Sequence, residues 1–215
     1  MDDIRRYIVE FIGTFFLVFT VGLCLVLPGN GVIAAIAIGF ILMVMVYAGG
    51  YISGGHYNPA VSLAATVRGA LSVKHCVFYM LFQFLASLAA SGLIMFLGGM
   101  VEGTAECPFT LTQLIIGEFL FTFALCYVVL TTATASKTAG NSYYGLAIGS
   151  TVTVGAFVTG GVLCFGAFNP AVALGLFALN IACLKLALIT ISVNLVAAAV
   201  AALVFKITNK EDLLL

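Results

Sequence analysis

The tetrapeptide Asn58-Pro59-Ala60-Val61 returns as Asn169-Pro170-Ala171-Val172, 169 − 58 = 111 positions later in a chain of 215 residues. Each copy follows a long apolar run and a glycine-rich turn, Ser53-Gly54-Gly55 in the first case and Gly160-Gly161 in the second. Asn is a favoured helix N-cap because its side-chain oxygen accepts from an unpaired N–H of the first turn. Pro suits the first helical position, where no N–H is needed. Both copies therefore read as helix starts. The helices predicted from them, 59–67 and 170–178, are about nine residues or roughly 13 Å long, less than half of a hydrocarbon layer roughly 30 Å thick. Two such stubs meeting end to end complete one crossing. Their N-termini then face each other at the bilayer centre, with partial positive charge and two carboxamides able to donate, which is the chemistry of a pore lining. The plainer alternative is that Asn58 and Asn169 are caps and nothing more.

Composition agrees with a bilayer setting. With 63% hydrophobic residues, 7% charged residues and a mean hydropathy of +1.25, the chain has too little charge to cover a soluble domain, and a single membrane domain over 1–215 is expected. The formal net charge is zero, and the absence of a basic stripe argues against a nucleic-acid partner. Six Cys form no CxxC and no Cys/His spacing suited to zinc, so apolar packing is their expected role, with no metal and no cofactor. Cys107 and Cys164 are expected near the outer face, open to thiol reagents. Asp2, Asp3, Arg5 and Arg6 precede the first apolar run without a small-residue cleavage pattern, so that run reads as a retained span rather than a signal peptide.

Apolar runs predict spans at 7–27, 32–51, 76–97, 111–133, 143–159 and 181–205, the first closed by a turn at Pro28-Gly29-Asn30-Gly31. Arg68 and Gly69 end the first half helix. The second half repeats the first. Glu118-Phe119 and Thr122-Phe123 echo Glu10-Phe11 and Thr14-Phe15 (118 − 10 = 108), Ala147-Ile148-Gly149 echoes Ala37-Ile38-Gly39 (147 − 37 = 110), and Asn194 stands for Gln83 (194 − 83 = 111). These offsets mark an internal duplication, with halves 1–97 and 111–215 joined by a connection at 98–110 that holds Glu102 and Glu106. Three spans per copy make the copies inverted in the membrane. The predicted fold is an all-α integral membrane protein, six transmembrane helices with two half-helices meeting at the membrane centre. Small residues such as Gly13, Gly39, Ser87, Gly92, Gly149 and Ala197 suit close helix crossings. Placing both termini in the cytoplasm puts Arg5, Arg6, Arg68, Lys74, Lys137, Lys206 and Lys210 inside and only Lys185 outside, in line with the positive-inside rule.

The paired NPA boxes, the Ser53-Gly54-Gly55-His56 context of the first, and Glu10 and Glu118 at the heads of the two halves resemble the aquaporin and aquaglyceroporin family over nearly the whole chain. That resemblance implies a passive channel, a homotetramer with one pore per subunit, and no cofactor. It gives Glu10 and Glu118 a scaffold role, holding the loops that lead to the half helices; the competing reading of Glu10 is a solvated interfacial carboxylate. It makes His56 a vestibule residue that donates to backbone. It also implies an outer filter at Ile38, Ala156, Gly166 and Val172. The last of these positions is Arg in most of the family, where it supplies donors and repels cations. Here all four are small or aliphatic, so a wider, more apolar filter is expected, with weaker water binding. The candidate solutes are glycerol and other polyols, urea, metalloid hydroxides such as arsenous acid, ammonia and dissolved gases. A one-residue shift would put Phe165, Ala167 or Phe168 in the lining instead of Gly166, and Tyr51 and Tyr57 either narrow the inner mouth or anchor at the interface.

Three other classes compete with a channel. An ion-coupled secondary transporter shares inverted repeats but needs buried carboxylates for its ion, and only Glu10 and Glu118 qualify. A membrane enzyme needs a nucleophile and base, and neither His56 nor His75 has suitable neighbours in sequence. A structural or junctional role lacks a docking segment in the short termini, although Lys210-Glu211-Asp212 offers a tether for the C-terminus. Short loops without an Asn-x-Ser/Thr acceptor fit a bacterial inner-membrane protein better than a glycosylated surface protein.

Overall fold

Long apolar segments in lipid satisfy their own backbone only as helices, and the computed structural model is helical throughout its regular parts. It describes residues 2–26, 31–98, 110–162 and 166–213. The elements are α1 (Asp2–Val26), α2 (Gly31–Ser53), α3 (Pro59–Arg68), α4 (Val73–Phe96), α5 (Leu111–Ala133), α6 (Tyr144–Val162), α7 (Pro170–Ala178) and α8 (Leu184–Thr208), with short 3₁₀ turns at Ser136–Thr138 and Lys210–Leu213. Helices α1, α2, α4, α5 and α8 are each long and apolar enough to cross a bilayer. Helix α6, with 19 residues, is apolar but shorter. The two half helices, α3 with 10 residues and α7 with 9, reach only about 15 Å. Most of the turn after α1, Glu102, Glu106, Cys107, Cys164 and Phe165 lie outside the described residues.

The halves interlock. Helices α1, α2 and α4 pack together as α5, α6 and α8 do, α2 lies along α6, and each half helix packs against the last long helix of the other half, α3 on α8 and α7 on α4. Small side chains allow this. Ala197, Ala198, Ala201 and Ala202 form the buried face of α8. On α4, Ser87 and Ser91 donate to the carbonyls of Ala171 (2.6 Å) and Gly175 (3.2 Å), fastening α7 to its neighbour. Where α2 crosses α6, a Cβ on Gly149 would lie 2.5 Å from the Gly39 carbonyl oxygen and 2.7 Å from Met43 Cβ.

Two boundaries differ from the sequence expectation for a local reason. Asn180 takes a left-handed φ of 61°, and the N–H groups of Ile181 and Ala182 then both reach back to the Leu176 carbonyl, at 2.9 and 3.1 Å. Residues 181 and 182 thus close α7, and α8 starts at Leu184. The equivalent position in the first half is Gly69 (φ 97°), which caps α3 through Ala65 and Thr66. At the other boundary, Ser72 accepts from the His75 N–H at 3.3 Å, so α4 begins at Val73 rather than at residue 76.

Charge gathers at one end of the bundle. Lys74 pairs with Asp3 at 3.0 Å, Lys137 pairs with Glu211, and Arg68 lies 3.9 Å from Asp212. Arg68 also donates to the Thr134 hydroxyl and carbonyl and sits over the Phe205 ring at 5.3 Å. Glu211 and Asp212 do tether the C-terminus: the Asp212 carboxylate accepts from the Ser136 N–H at 3.1 Å. Hydrogen bonds from Ser136, and then the Arg68 charge, hold the Asp212 carboxyl below its ordinary range.

Two outcomes follow from this packing. Gly149→Val should cost on the order of 1–3 kcal/mol through overpacking, read as a lower thermal unfolding midpoint in detergent; an unchanged midpoint would show that the crossing has slack. A depressed folded-state pKa means that Asp212 contributes fully above the unfolded carboxyl value of about 3.9 and loses its contribution as pH falls through the folded value. The C-terminal turn should therefore hold at neutral pH and loosen only in acid, measured with a fluorophore placed after residue 212.

Candidate functional site

The site grows from the caps. Asn58 and Asn169 share an extended backbone (φ −156° in both), and each side-chain oxygen accepts from the second residue of its own half helix, Ala60 N–H at 2.8 Å and Ala171 N–H at 2.9 Å. Pro59 and Pro170 occupy the first helical position, where they forgo no hydrogen bond. The amide nitrogens do something the sequence did not predict. Asn58 Nδ2 donates to the Phe168 carbonyl at 2.8 Å, and Asn169 Nδ2 donates to the Tyr57 carbonyl at 2.9 Å. Each asparagine pins the loop of the other half, which commits one of its two N–H groups.

That pin requires unusual backbone. Tyr57 (φ 49°) and Phe168 (φ 51°) are both left-handed, a conformation costing roughly 1–2 kcal/mol for a residue with a side chain. The two buried carboxylates hold it. Glu10 accepts from Ser53 Oγ (2.7 Å), His56 N–H (3.0 Å), Tyr57 N–H (2.7 Å) and Gln83 Nε2 (2.8 Å). Glu118 accepts from Ala167 N–H (2.7 Å) and Phe168 N–H (2.9 Å). With its carboxamide oriented to meet its neighbours, Asn194 donates to Glu118 at 2.9 Å and accepts from Asn169 N–H at 3.0 Å. Glu10 is wholly buried and Glu118 nearly so, which excludes a solvated interfacial role for Glu10.

His56 departs from expectation in its partner. Its Nδ1 lies 3.1 Å from Ser62 Oγ, not at a backbone carbonyl, and its ring meets Tyr79 edge-on at 5.3 Å. Gln83 joins the same chain through Ser62 at 3.1 Å. Tyr57 is buried, with its hydroxyl on the Met45 carbonyl at 2.9 Å, and so neither narrows a mouth nor anchors at an interface. Tyr51 is 83% exposed.

Asn58, Asn169, His56, Ile38, Ala156, Gly166 and Val172 all border one cavity. Ala167 and Phe168 border it too, beside Gly166 rather than in its place. Leu17, Val21, Leu125 and Val129 are among the wall residues that sequence reasoning missed. The offset of Glu10 and Glu118 pointed to them: Leu17 with Leu125 and Val21 with Val129 keep the same 108-residue spacing (125 − 17, 129 − 21). The cavity is tight, with about 30 Å³ available to the centres of water molecules, where one water needs roughly 10–15 Å³. At the charged end it gives way, past His56 and Val129, to a vestibule of about 400 Å³ by the same measure, bordered by Arg6 and Arg68. Among the described residues no cluster of His, Cys, Asp or Glu could hold a metal ion.

The family model described as Major intrinsic protein matches residues 1–205. The chain is 34% identical over 183 residues to Nodulin-26 of Glycine max, covering 80% of this chain and 66% of that protein. It is 36% identical over 182 residues to Aquaporin NIP1-1 of Zea mays, covering 80% and 64%, so the matched stretch spans about two thirds of those relatives. Aquaporin TIP2-1 of Arabidopsis thaliana is 35% identical over 197 residues, covering 82% and 79%. These relatives are plant proteins and lend no support to a bacterial source. The X-ray structure of the aquaglyceroporin from Plasmodium falciparum superposes with a TM-score of 0.75 at 19% identity, covering 99% of this chain and 100% of that one, a likeness of fold. With the family model running through all but the last residues and the plant relatives agreeing, the chain belongs to the major intrinsic protein family.

Proposed function

We infer that this protein is a passive transmembrane channel for water and small neutral solutes, with Asn58 and Asn169 as its central donors and Ile38, Ala156, Gly166 and Val172 as its outer filter. The reading rests on one observation: two cross-pinned, asparagine-capped half helices stand beside a narrow lumen with mostly aliphatic walls. The half-helix N-termini carry partial positive charge and disfavour cations, while the remaining carboxamide N–H groups hold the oxygen of a passing solute and interrupt a relay of water molecules. With Val172 where an Arg would supply donors and charge, exclusion of protons falls mainly to this central region. Channel function leaves no enzymatic role.

The solutes follow from lining and width together. Aliphatic walls bind water weakly and admit neutral molecules without demanding many hydrogen bonds. The tight cavity favours the small members of the range, water, ammonia and dissolved gases, over urea, glycerol and arsenous acid. The breadth expected from an aliphatic filter is thus tempered by side chains that fill the space.

Coupling to an ion is the weaker reading, because Glu10 and Glu118 already accept from loop donors. We place the chain in a cell membrane as a multi-pass homotetramer, one pore per subunit, with both termini and the Arg6–Arg68 vestibule facing the cytoplasm. The clustering of Arg68, Lys74 and Lys137 with acidic partners at one end supports that orientation.

Proteoliposomes in stopped-flow light scattering test the filter. Val172→Arg should lower glycerol and urea uptake relative to water and reduce proton leak in a pH-dye assay; unchanged ratios would remove residue 172 from control of width. Collapsing sodium and proton gradients should leave solute uptake intact. Loss of uptake under those conditions would favour the transporter.

A further inference from the structure

The glycine at filter position 166 invites the conclusion that this wall of the lumen is open, but its surroundings say otherwise. A Cβ built on Gly166 would meet Thr159 Oγ1 and lie 2.6 Å from Phe168 Cζ. Thr159 is fully buried, with its hydroxyl on the Gly155 carbonyl at 2.8 Å. A Cβ on Gly155 would in turn lie 2.8 Å from Phe168 Cε2 and 3.0 Å from Phe121 Cδ1. The Phe168 ring therefore occupies a slot that two glycines leave for it, with Phe121 against it at 5.5 Å between centroids. The space absent from the residue at 166 is filled by its neighbours.

Phe168 is also fixed by its backbone. Its N–H is held by Glu118 at 2.9 Å, its carbonyl by Asn58 at 2.8 Å, and its φ of 51° sets the direction of the side chain. Its repeat counterpart differs. Tyr57 likewise sits against two glycines, Gly13 and Gly49, but its hydroxyl is anchored at Met45 and it does not border the cavity, whereas Phe168 does.

We propose that Phe168 is a specificity-determining residue, an immovable aromatic wall between the outer filter and the asparagines that limits solute width where Gly166 alone would not. The proposal rests on the channel reading above. A ring clamped between Gly155, Gly166 and Phe121 cannot swing aside, so the upper limit on solute size is set on its side of the lumen.

Phe168→Leu and Phe168→Met keep the site apolar while removing the ring. Reconstituted beside the native protein, both should raise the ratio of glycerol to water permeability on the order of threefold or more, measured by stopped flow on the same vesicles. A ratio unchanged in a variant that still passes water overturns the proposal. So does failure of both variants to give monodisperse protein, which would assign the ring to packing alone. Native protein that passes neither solute would instead remove the channel reading itself, and the proposal with it.

Discussion

Two irregular loops enter the middle of a bilayer, where water cannot pair their backbone groups, and everything else in the fold is arranged around satisfying them. Glu10 and Glu118 take the N–H groups before the two boxes, and Asn58 and Asn169 take the carbonyls of the opposite loop. A buried carboxylate costs several kcal/mol unless hydrogen bonds replace its hydration, and Glu10 receives four. Carboxylate and loop are each costly alone in lipid and compatible together. The position of the half helices, and with it the cavity, follows from that mutual satisfaction.

The two halves solve this problem with different residues. Gln83 braces Glu10 and also reaches Ser62, while the shorter Asn194 braces Glu118 and the Asn169 backbone. Gly69 and Asn180 take the same left-handed closing turn, by lack of a side chain in one case and by the tolerance of Asn in the other. Tyr79 hydrogen-bonds the Ser53 carbonyl at 2.6 Å, but Thr190, 111 positions on (190 − 79 = 111), has its buried hydroxyl without a protein partner among the described residues. The Asn and Glu anchors are repeated, therefore, and the residues that brace them are not.

What could be read in the sequence was what local chemistry determines. Hydropathy gave the long helices, and Asn-Pro gave the starts of α3 and α7, because cap preference and the missing proline N–H act within one turn. The scaffold role of Glu10 and Glu118 was legible from their burial in spans and from the family resemblance. Long-range packing was not legible. Nothing in the neighbourhood of His56 announces Ser62 as its partner, and the start of α8 depends on Asn180 closing the preceding turn. The walls of the lumen were only partly legible from Val172 and Gly166, since neighbours from other helices, among them Leu17, Leu125 and Phe168, border it as well.

The cross-pins also bear on how the chain is made. They join residues 110 and 112 positions apart, so when Asn58 first enters the bilayer during synthesis, the carbonyl it will hold has not yet been translated. The early half must wait with its loop incompletely paired, and the water path comes into being only when the late half docks.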